Sequence, residues 1–300
     1  MSPGSAYLAA EGFEAQLRAE LGERILSEHG RLMLCEGPPA PAAWAANTWL
    51  APQEIAIASI GDAARSLRAL QRNWALYAPA HFRRASLIAE RLPHVSFRPL
   101  AFPQPAPSAP LGSWTLLAPD RMLASASCSS PFANGEVAFV EDRQGPPNRA
   151  YLKLWEALTR LGRHPGPGET CLDLGASPGG WSWVLASLGA TVIAVDKAPL
   201  DAAVAQMPGV QWRQDSAFAL EPDAFGPVDW LFCDVICYPA RLLGLVRRWL
   251  ERGRVRSFVC TLKFQGETDH GTARDFAAIP GSRLFHLHHN RHELTWCLLR

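Results

Sequence analysis

The second half of the chain alternates short apolar runs with longer helical stretches, and this alternation most restricts how the chain can fold. Strands are predicted from the apolar runs at 170–174, 191–195, 229–233 and 257–263. Helices are predicted at 150–161, 180–188, 199–206 and 239–251. Strands that alternate with helices form a parallel sheet with helices on both faces, so an α/β fold is expected here. Two further β-like runs, 282–288 and 293–299, predict a terminal antiparallel hairpin.

The first half of the chain is organised differently, with β-like and helical segments in no regular alternation. A boundary near residue 145, in Arg143-Gln-Gly-Pro-Pro147, divides the chain into a smaller α+β domain at 1–145 and an α/β domain at 146–300. The proline-rich residues 94–110 predict an extended connector within the first domain.

The composition is that of a folded, intracellular protein. Hydrophobic residues make up 48% of the chain and charged residues 19%, which provides for packed cores and argues against global disorder. A net charge of +1 argues against non-specific coating of nucleic acid, so no DNA partner is expected, although a local basic patch is compatible with it. The seven cysteines lie in apolar stretches without a C-x-x-C pair, which is typical of reduced cytoplasmic thiols.

The sequence offers no sign of export or membrane insertion. Residues 1–7 lack the basic and apolar segments of a secretory signal, and no apolar run is long enough to span a bilayer. We therefore expect a cytoplasmic protein without membrane contact, whose oligomeric state the sequence leaves open.

A glycine-rich loop follows the first strand of the alternating half. Its glycines allow a tight turn and a close approach of the backbone to a ligand. The candidate cofactor contacts in the loop are Asp173, Gly175, Ser177, Pro178, Gly179, Gly180 and Trp181. Asp196 ends the second strand, where a carboxylate can accept both ribose hydroxyls. Asp215 follows a further short apolar segment between the second and third of the listed strands, within reach of an adenine edge.

The spacing of the glycines decides between cofactor classes. It is G-x-x-x-G-G with a proline inside, whereas dinucleotide sites have G-x-G-x-x-G. The loop therefore favours an adenosine cofactor without a diphosphate, namely S-adenosylmethionine. A glycine-rich turn without a ligand is the alternative.

Only three of the 29 basic side chains are lysines: Lys153, Lys197 and Lys263. Arginine replaces lysine well as a permanent cation, but it cannot lose its proton near neutral pH. A chain with this bias is expected to keep lysine where an amine or a proton acceptor is needed, with chance survival as the alternative for any single one. Lys197 follows Asp196 and is given no catalytic role.

Five segments resemble the motifs of the FtsJ-like RNA 2′-O-ribose methyltransferases. They are the glycine-rich loop and the segments 148–154, 232–234, 261–266 and 291–295. The resemblance implies a class I, Rossmann-like methyltransferase sheet that binds S-adenosylmethionine, with Asp234 beside the methyl donor. It also implies a catalytic tetrad of Lys153, Asp234, Lys263 and Glu293.

Other segments resemble one subgroup, the large-subunit ribosomal RNA methyltransferases M. These segments are 8–17, 130–135, 228–234 and 287–295. The resemblance implies a cytidine of 23S ribosomal RNA as the substrate and a THUMP-like first domain that presents the RNA. The N-terminal half is shorter than in that subgroup, and residues 235–239 depart from its pattern. Another RNA or an mRNA cap is the alternative substrate, and a non-catalytic module that binds the cofactor and RNA is the alternative of a different class.

The tetrad suits methylation of a ribose hydroxyl. That hydroxyl is a poor nucleophile near neutral pH, so it has to be oriented and relieved of its proton. A lysine near another cation in a partly dry pocket can accept a proton. Our hypothesis makes Lys263 the general base, with Lys153 steering the hydroxyl and favouring the neutral amine of Lys263. Asp234 would hold both lysines, and Glu293 would orient Lys263.

Residues 65–98 hold seven arginines against one acid. Arginine for phosphates and aromatic side chains for exposed bases are what recognition of looped RNA uses. The candidate RNA contacts are Arg65, Arg68, Arg72, Arg83 and Arg84, interleaved with Trp74, Tyr77, His81 and Phe82. A solvated helix face with the aromatic side chains in the core is the alternative. The histidines at 286, 288, 289 and 292 are interpreted as surface or RNA-contacting residues, and no metal site is predicted.

Overall fold

The computed structural model describes residues 3–300, so the first two residues of the expected N-terminal domain lie outside the description. The chain forms two compact units. Unit 1 comprises the chain through Leu100 together with Ala106–Ala138, and unit 2 comprises Ala101–Pro105 together with Phe139–Arg300. The division therefore falls ahead of the expected boundary at 145, and part of the proline-rich connector belongs with unit 2.

Unit 1 is built from two four-stranded sheets and three helices. The strands are β1 (Ser5–Ala9), β2 (Ile25–His29), β3 (Leu32–Cys35), β4 (Ala45–Trp49), β5 (Gln53–Ala56), β6 (Trp74–Leu76), β7 (Gly112–Ala118) and β8 (Arg121–Ser125). The helices are α1 (Glu14–Leu21), α2 (Ile60–Leu70) and α3 (Phe82–Ala89). The sheets have the orders β2-β3-β1-β4 and β5-β8-β7-β6, and only the pair β6–β7 is parallel within them.

Helices α2 and α3 share one apolar core with the second sheet of unit 1. The side chain of Ser59 accepts the main-chain N–H of Asp62 and thereby begins α2. Small residues on the buried helix faces leave space for two large rings from the strands. The core includes Ala63, Ala64, Leu67, Ala85, Ile88, Trp74 and Trp114.

Unit 2 contains the alternation that the sequence predicts. Its strands are β9 (Thr170–Leu174), β10 (Thr191–Asp196), β11 (Val210–Gln214), β12 (Val228–Cys233), β13 (Val255–Lys263), β14 (Ser282–Phe285) and β15 (Glu293–Leu299). Its helices are α4 (Tyr151–Leu161), α5 (Gly180–Ser187), α6 (Ala202–Ala205), α7 (Pro239–Arg252) and α8 (His270–Ala277). The strand order is β11-β10-β9-β12-β13-β15-β14.

The predicted strands and the terminal antiparallel hairpin are confirmed, with two differences in length. Strands β9 to β13 are mutually parallel, whereas β15 is antiparallel to both of its neighbours. The helix expected at 199–206 is only the four residues of α6, which begins where the side chain of Asp201 accepts the N–H of Ala203. Strand β14 ends at Phe285 rather than 288, because the next residues turn toward α4 and bond to it.

Candidate active site

The candidate active site lies at the carboxyl edge of the unit 2 sheet, where β9 and β12 are neighbours. The chain continues from these two strands to β10 and β13, on opposite sides of the pair. Ligands of open α/β sheets bind in the crevice that such a reversal leaves. The N–H of Asp234 donates to the carbonyl of Leu174 at 3.2 Å, so the glycine-rich loop and the segment after β12 begin side by side.

Two glycines of the loop are required by their surroundings. Gly175 has a φ of +77°, and a Cβ there would collide with Val235, directly after Asp234. Gly180 begins α5, and a Cβ there would collide with the amide oxygen of Asn148. The loop therefore packs against the segment that leads to Lys153 and against the segment that includes Asp234.

A cavity opens beside the loop at the ends of the neighbouring strands. Three of the predicted cofactor residues line it: Gly175, Asp196 and Asp215. The other lining residues are Val195, Lys197, Ser216, Ala217, Phe218, Val235, Ile236 and Arg241. Sequence reasoning missed Phe218 and Ile236, although both follow a strand end at the edge where α/β sheets bind ligands.

The rest of the predicted loop residues make contacts within the protein. Ser177, Pro178, Gly179, Gly180 and Trp181, all within the described range, do not line this cavity. The hydroxyl of Ser177 donates to the carbonyl of Pro199 at 2.8 Å. The buried ring of Trp181 donates from Nε1 to the carbonyl of Ala150 at 3.0 Å. These residues fix the shape of the loop.

The two carboxylates at the cavity are oriented by main-chain donors. Asp196 accepts the N–H of Ser177 at 3.1 Å and that of Ala198 at 2.9 Å. Asp215 accepts the N–H of Ser216, which is the main cause that lowers the pKa of this carboxyl, and Arg213 lowers it further. Carboxylates held in this way can accept hydroxyl groups of a ribose.

Asp173 is fully buried at the end of β9. Burial is the main cause that raises the pKa of its carboxyl to about 7, and the charges of Asp234 and Asp196 raise it further, whereas hydrogen bonding by Ser182 opposes them. Oδ2 accepts the hydroxyl of Ser182 at 2.6 Å, but Oδ1 has no hydrogen-bond partner among the described residues. A cationic group bound nearby would satisfy Oδ1 and favour the carboxylate.

The four predicted catalytic side chains come together in one cluster. Both carboxylate oxygens of Asp234 lie 3.0 Å from Nζ of Lys153, and Oδ1 lies 3.1 Å from Nζ of Lys263. Nζ of Lys263 also donates to the carbonyl of Asp234 at 2.6 Å. Oε1 of Glu293 lies 3.1 Å from Nζ of Lys153. The two ammonium groups therefore share one carboxylate oxygen.

The cluster is asymmetric, and it differs in one contact from the sequence-based expectation. Glu293 stands opposite Lys263 in the strand register, yet its carboxylate pairs with Lys153 rather than orienting Lys263. Burial alone would lower the pKa of the Lys153 ammonium, but the charges of Asp234 and Glu293 together raise it. Lys153 is thus held as a cation by two carboxylates, whereas Lys263 has an ion pair with Asp234 alone among the described residues.

The predicted RNA-contacting arginines lie on or next to α2 and α3 of unit 1. They are Arg65, Arg68, Arg72, Arg83 and Arg84. Arg72 and Arg83 are exposed. Arg65 is also exposed but pairs with Asp62 at 2.9 Å. Arg84 is half-buried, and its Nε is enclosed without a hydrogen-bond partner among residues 3–300.

The aromatic residues of the same segment divide between surface and core. Trp74 is buried in the core of unit 1, and the hydroxyl of Tyr77 accepts the N–H of Arg31 at 2.6 Å. Phe82 is 64% exposed, and His81 beside it is exposed too. The core alternative therefore holds for Trp74, whereas the ring of Phe82 is open to solvent.

The C-terminal histidines are not uniformly at the surface. His286 is buried, which lowers its pKa to about 4, so its interpretation as a surface residue is wrong. Across residues 3–300, no group of three or more His, Cys, Asp and Glu side chains is arranged to hold a metal ion. None of the helices in the same range has the length and apolar character needed to cross a membrane.

The strand order, the cavity and the two-lysine cluster define unit 2 as a Rossmann-like methyltransferase sheet. Residues 146–243 match the family model of the FtsJ-like methyltransferases. The matched region includes Lys153 and Asp234 but ends before Lys263 and Glu293. Lys263 and Glu293 are assigned to the site by the geometry of the cluster alone.

Curated relatives carry one name. The ribosomal RNA large subunit methyltransferase M of Halorhodospira halophila is 40% identical over 157 residues, which are 50% of this chain and 46% of that protein. The protein of that name from Marinomonas sp. is 30% identical over 191 residues, 58% of this chain and 54% of that protein. The chain therefore spans about half the length of the curated relatives it matches.

A similar solved structure is a ribosomal RNA methyltransferase from Plasmodium falciparum. It is 14% identical, covers 51% of this chain and 97% of that chain, and has a TM-score of 0.38. We draw nothing from so low a similarity.

The family implies S-adenosylmethionine as the cofactor, and the residues at the cavity fit it. Asp196 and Asp215 present oriented carboxylates at the cavity wall. Gly175 lines the cavity without a side chain, and Asp173 offers a buried oxygen to a cation. The adenosine would lie against Asp196 and Asp215, and its sulfonium end toward Asp173 and Asp234.

Proposed function

We propose that this chain is an S-adenosylmethionine-dependent RNA 2′-O-ribose methyltransferase whose substrate is a cytidine of 23S ribosomal RNA. The observation that carries the proposal is the cluster of two lysines on one aspartate beside the cofactor cavity. The family match of residues 146–243 and the name shared by the curated relatives support the reaction and the RNA. The nucleotide and the whole protein's activity are part of the proposal.

The residues of the cluster have the properties that methylation of a ribose hydroxyl requires. When bound, S-adenosylmethionine supplies a methyl group on a positively charged sulfur. The 2′-oxygen would bond to that methyl carbon as the carbon–sulfur bond breaks, and Lys263 would accept the hydroxyl proton. Alignment of the oxygen with the methyl group supplies much of the acceleration.

The asymmetry of the cluster supports Lys263 rather than Lys153 as the general base. Two carboxylates raise the pKa of Lys153, so this side chain remains a cation that can orient the hydroxyl oxygen. Lys263 pairs with Asp234 alone among the described residues, so it is the lysine that is not held between two carboxylates. Glu293 then acts on the cluster through Lys153.

Unit 1 is proposed to present the RNA in the manner of a THUMP-like domain. Its support is the exposed pair Arg72 and Arg83 with the exposed ring of Phe82. Ribosomal RNA as the substrate would place the protein in the cytoplasm. DNA and membranes are not proposed as partners, and the boundary near 145 remains our interpretation of where the RNA-presenting part ends.

Mapping of 2′-O-methyl groups tests the proposed function directly. Ribosomal RNA from cells with the gene should carry one 2′-O-methylcytidine that is missing from cells without it, and the purified protein with S-adenosylmethionine should restore it. Restoration on a different RNA or an mRNA cap would contradict the substrate. Binding of cofactor and RNA without methyl transfer would support the non-catalytic alternative instead.

Charge reversal at Arg72 and Arg83 is expected to weaken RNA binding without changing S-adenosylmethionine affinity. Both side chains are exposed, so their replacement by glutamate removes cations that can bind phosphates and leaves the core intact. The slope of log affinity against log salt should fall by about 1 for each phosphate that the protein no longer neutralises. Reversal of Arg65, which already pairs with Asp62, is the matched control and should change that slope less.

A further inference from the structure

Helix α4 carries a buried carboxylate that the proposed chemistry does not use. Glu156 is fully buried on this helix, among apolar neighbours such as Trp155 and Ala157. Arg160, one turn later, pairs with Oε1 of Glu156 at 2.7 Å. A buried carboxylate is tolerated only when it is paired and hydrogen-bonded. The other bonds of Glu156 therefore indicate what it does in the fold.

Those bonds all lead to the turn between β14 and β15. The N–H of His288 donates to Oε1 at 2.9 Å, and the N–H of His289 donates to Oε2 at 3.0 Å. The ring of His289 adds a contact from Nδ1 to Oε2 at 2.8 Å. Burial alone would raise the pKa of Glu156, but Arg160 and His289 outweigh it and lower it. An ionised carboxylate thus clamps the turn to α4.

The two elements joined by this clamp carry two members of the cluster. Lys153 precedes Glu156 by three residues, so both lie on the same side of α4. Glu293 follows the clamped turn and begins β15. The contact between Nζ of Lys153 and Oε1 of Glu293, 3.1 Å long, bridges the same two elements. Displacement of the turn from the helix would lengthen it.

We propose that Glu156 is a positioning residue which, by clamping the turn at His288 and His289 to α4, sets the contact between Lys153 and Glu293. This claim concerns the cluster itself, and only its kinetic consequence rests on the proposed function. Removal of the clamp should keep the ion pair of Lys153 with Asp234 but weaken the ion pair of Lys153 with Glu293. The charged form of Lys153 would then be less stabilised.

The three lysines of the chain allow a direct test. With lysine labelled by ¹³C at the ε carbon, NMR should give three signals, which Lys197→Arg and Lys263→Arg assign by removal. In Glu156→Gln, the titration midpoint of Lys153 should fall by about 0.5 to 1 pH unit, part of the roughly 1 to 3 units that a nearby opposite charge contributes. Glu293→Gln, which removes the charge directly, sets the full size of the shift, and the signal of Lys197 should not move.

Glu20→Gln is a matched control in unit 1. Like Glu156, Glu20 accepts two successive main-chain N–H groups, those of Ala43 at 2.7 Å and Trp44 at 3.0 Å. Its replacement should leave the Lys153 signal unchanged. If Glu156→Gln does not fold, His289→Ala removes only the ring contact and should shift the midpoint less, in the same direction. If the titration midpoint of Lys153 in Glu156→Gln and in His289→Ala equals that of the wild type, the proposal is overturned.

Kinetics separate this inference from the proposed function. Glu156→Gln should lower kcat for RNA methylation by about 10- to 100-fold, as expected for a displaced site residue, with the KM for RNA and the cofactor Kd unchanged. A raised KM at normal kcat would contradict the positioning role. If the protein methylates no RNA at all, the proposed function fails, and the NMR titration still decides on the clamp.

Discussion

Replacement of Lys263 by arginine is expected to slow methyl transfer severely while S-adenosylmethionine binding is retained. Arginine keeps the positive charge next to Asp234 but cannot release its proton near neutral pH, so it cannot accept the proton of the ribose hydroxyl. General-base catalysis contributes roughly 10²- to 10⁴-fold, and kcat should fall by that factor. The measurement is single-turnover transfer of labelled methyl to RNA, with cofactor affinity followed by calorimetry.

The other lysines supply the controls for this prediction. Lys197 lines the cavity but has no place in the cluster, so Lys197→Arg should keep kcat at saturating S-adenosylmethionine even if the cofactor Kd changes. Lys263→Ala should be as inactive as Lys263→Arg, because both lack a titratable amine. A Lys263→Arg protein that retained wild-type kcat would falsify the assignment of the base and leave the cluster a purely electrostatic role.

The architecture of unit 2 is predictable from the sequence because its central strands are apolar runs bounded by polar residues. A strand that is buried on both faces can be recognised from its own sequence, because nearly all of its residues are apolar. Strands β9, β10, β12 and β13 have this pattern. Helix α8 was missed because its eight residues are mostly polar. A signal existed in Asp269, which caps this helix by accepting the N–H of Thr272.

Unit 1 was less predictable for a related physical reason. Its strands are short, and several, such as Gln53–Ala56 and Ile25–His29, are mostly exposed and carry polar side chains. Their pairing depends on partners far away in the sequence, as for β5 with β8. Local composition contains little information about such pairs.

The identity of the cluster residues could be predicted, but their partners could not. Motif resemblance names Lys153 and Glu293 without saying that they touch, because the contact depends on how α4 lies against the hairpin. The same limit applies to Glu156, which looks like an ordinary helix glutamate. The available signal is its neighbourhood: a charged residue on a helix whose adjacent positions are Trp155 and Ala157.

Replacement of Asp234 by asparagine is expected to destabilise the protein and to remove activity. The carboxylate lies within 3.1 Å of Nζ of both Lys153 and Lys263, so a neutral amide leaves two cations side by side. Breaking a buried ion pair by removing one partner costs about 3 to 5 kcal/mol, and the free energy of unfolding in urea should fall by about the lower figure. Asp223→Asn, at the exposed pair with Arg252, is the control and should lower the free energy of unfolding far less, because solvent screens that pair.

Two measurements identify the cause of the lower free energy of unfolding in Asp234→Asn: its pH dependence, and the effect of a second substitution at a partner lysine. The folded protein raises the pKa of Lys153 above the ordinary lysine value of 10.5, so the stabilisation is fully present below that value and is lost as pH rises through the raised pKa. The deficit of Asp234→Asn should therefore be constant from about pH 7 to about pH 9. Lys153 keeps its ion pair with Glu293 in Asp234→Asn, so Lys263 is the cation left without a carboxylate, and adding Lys263→Met should restore part of the stability. A double variant less stable than Asp234→Asn would contradict the electrostatic origin, because it would mean that packing of the Lys263 stem, and not its charge, dominates.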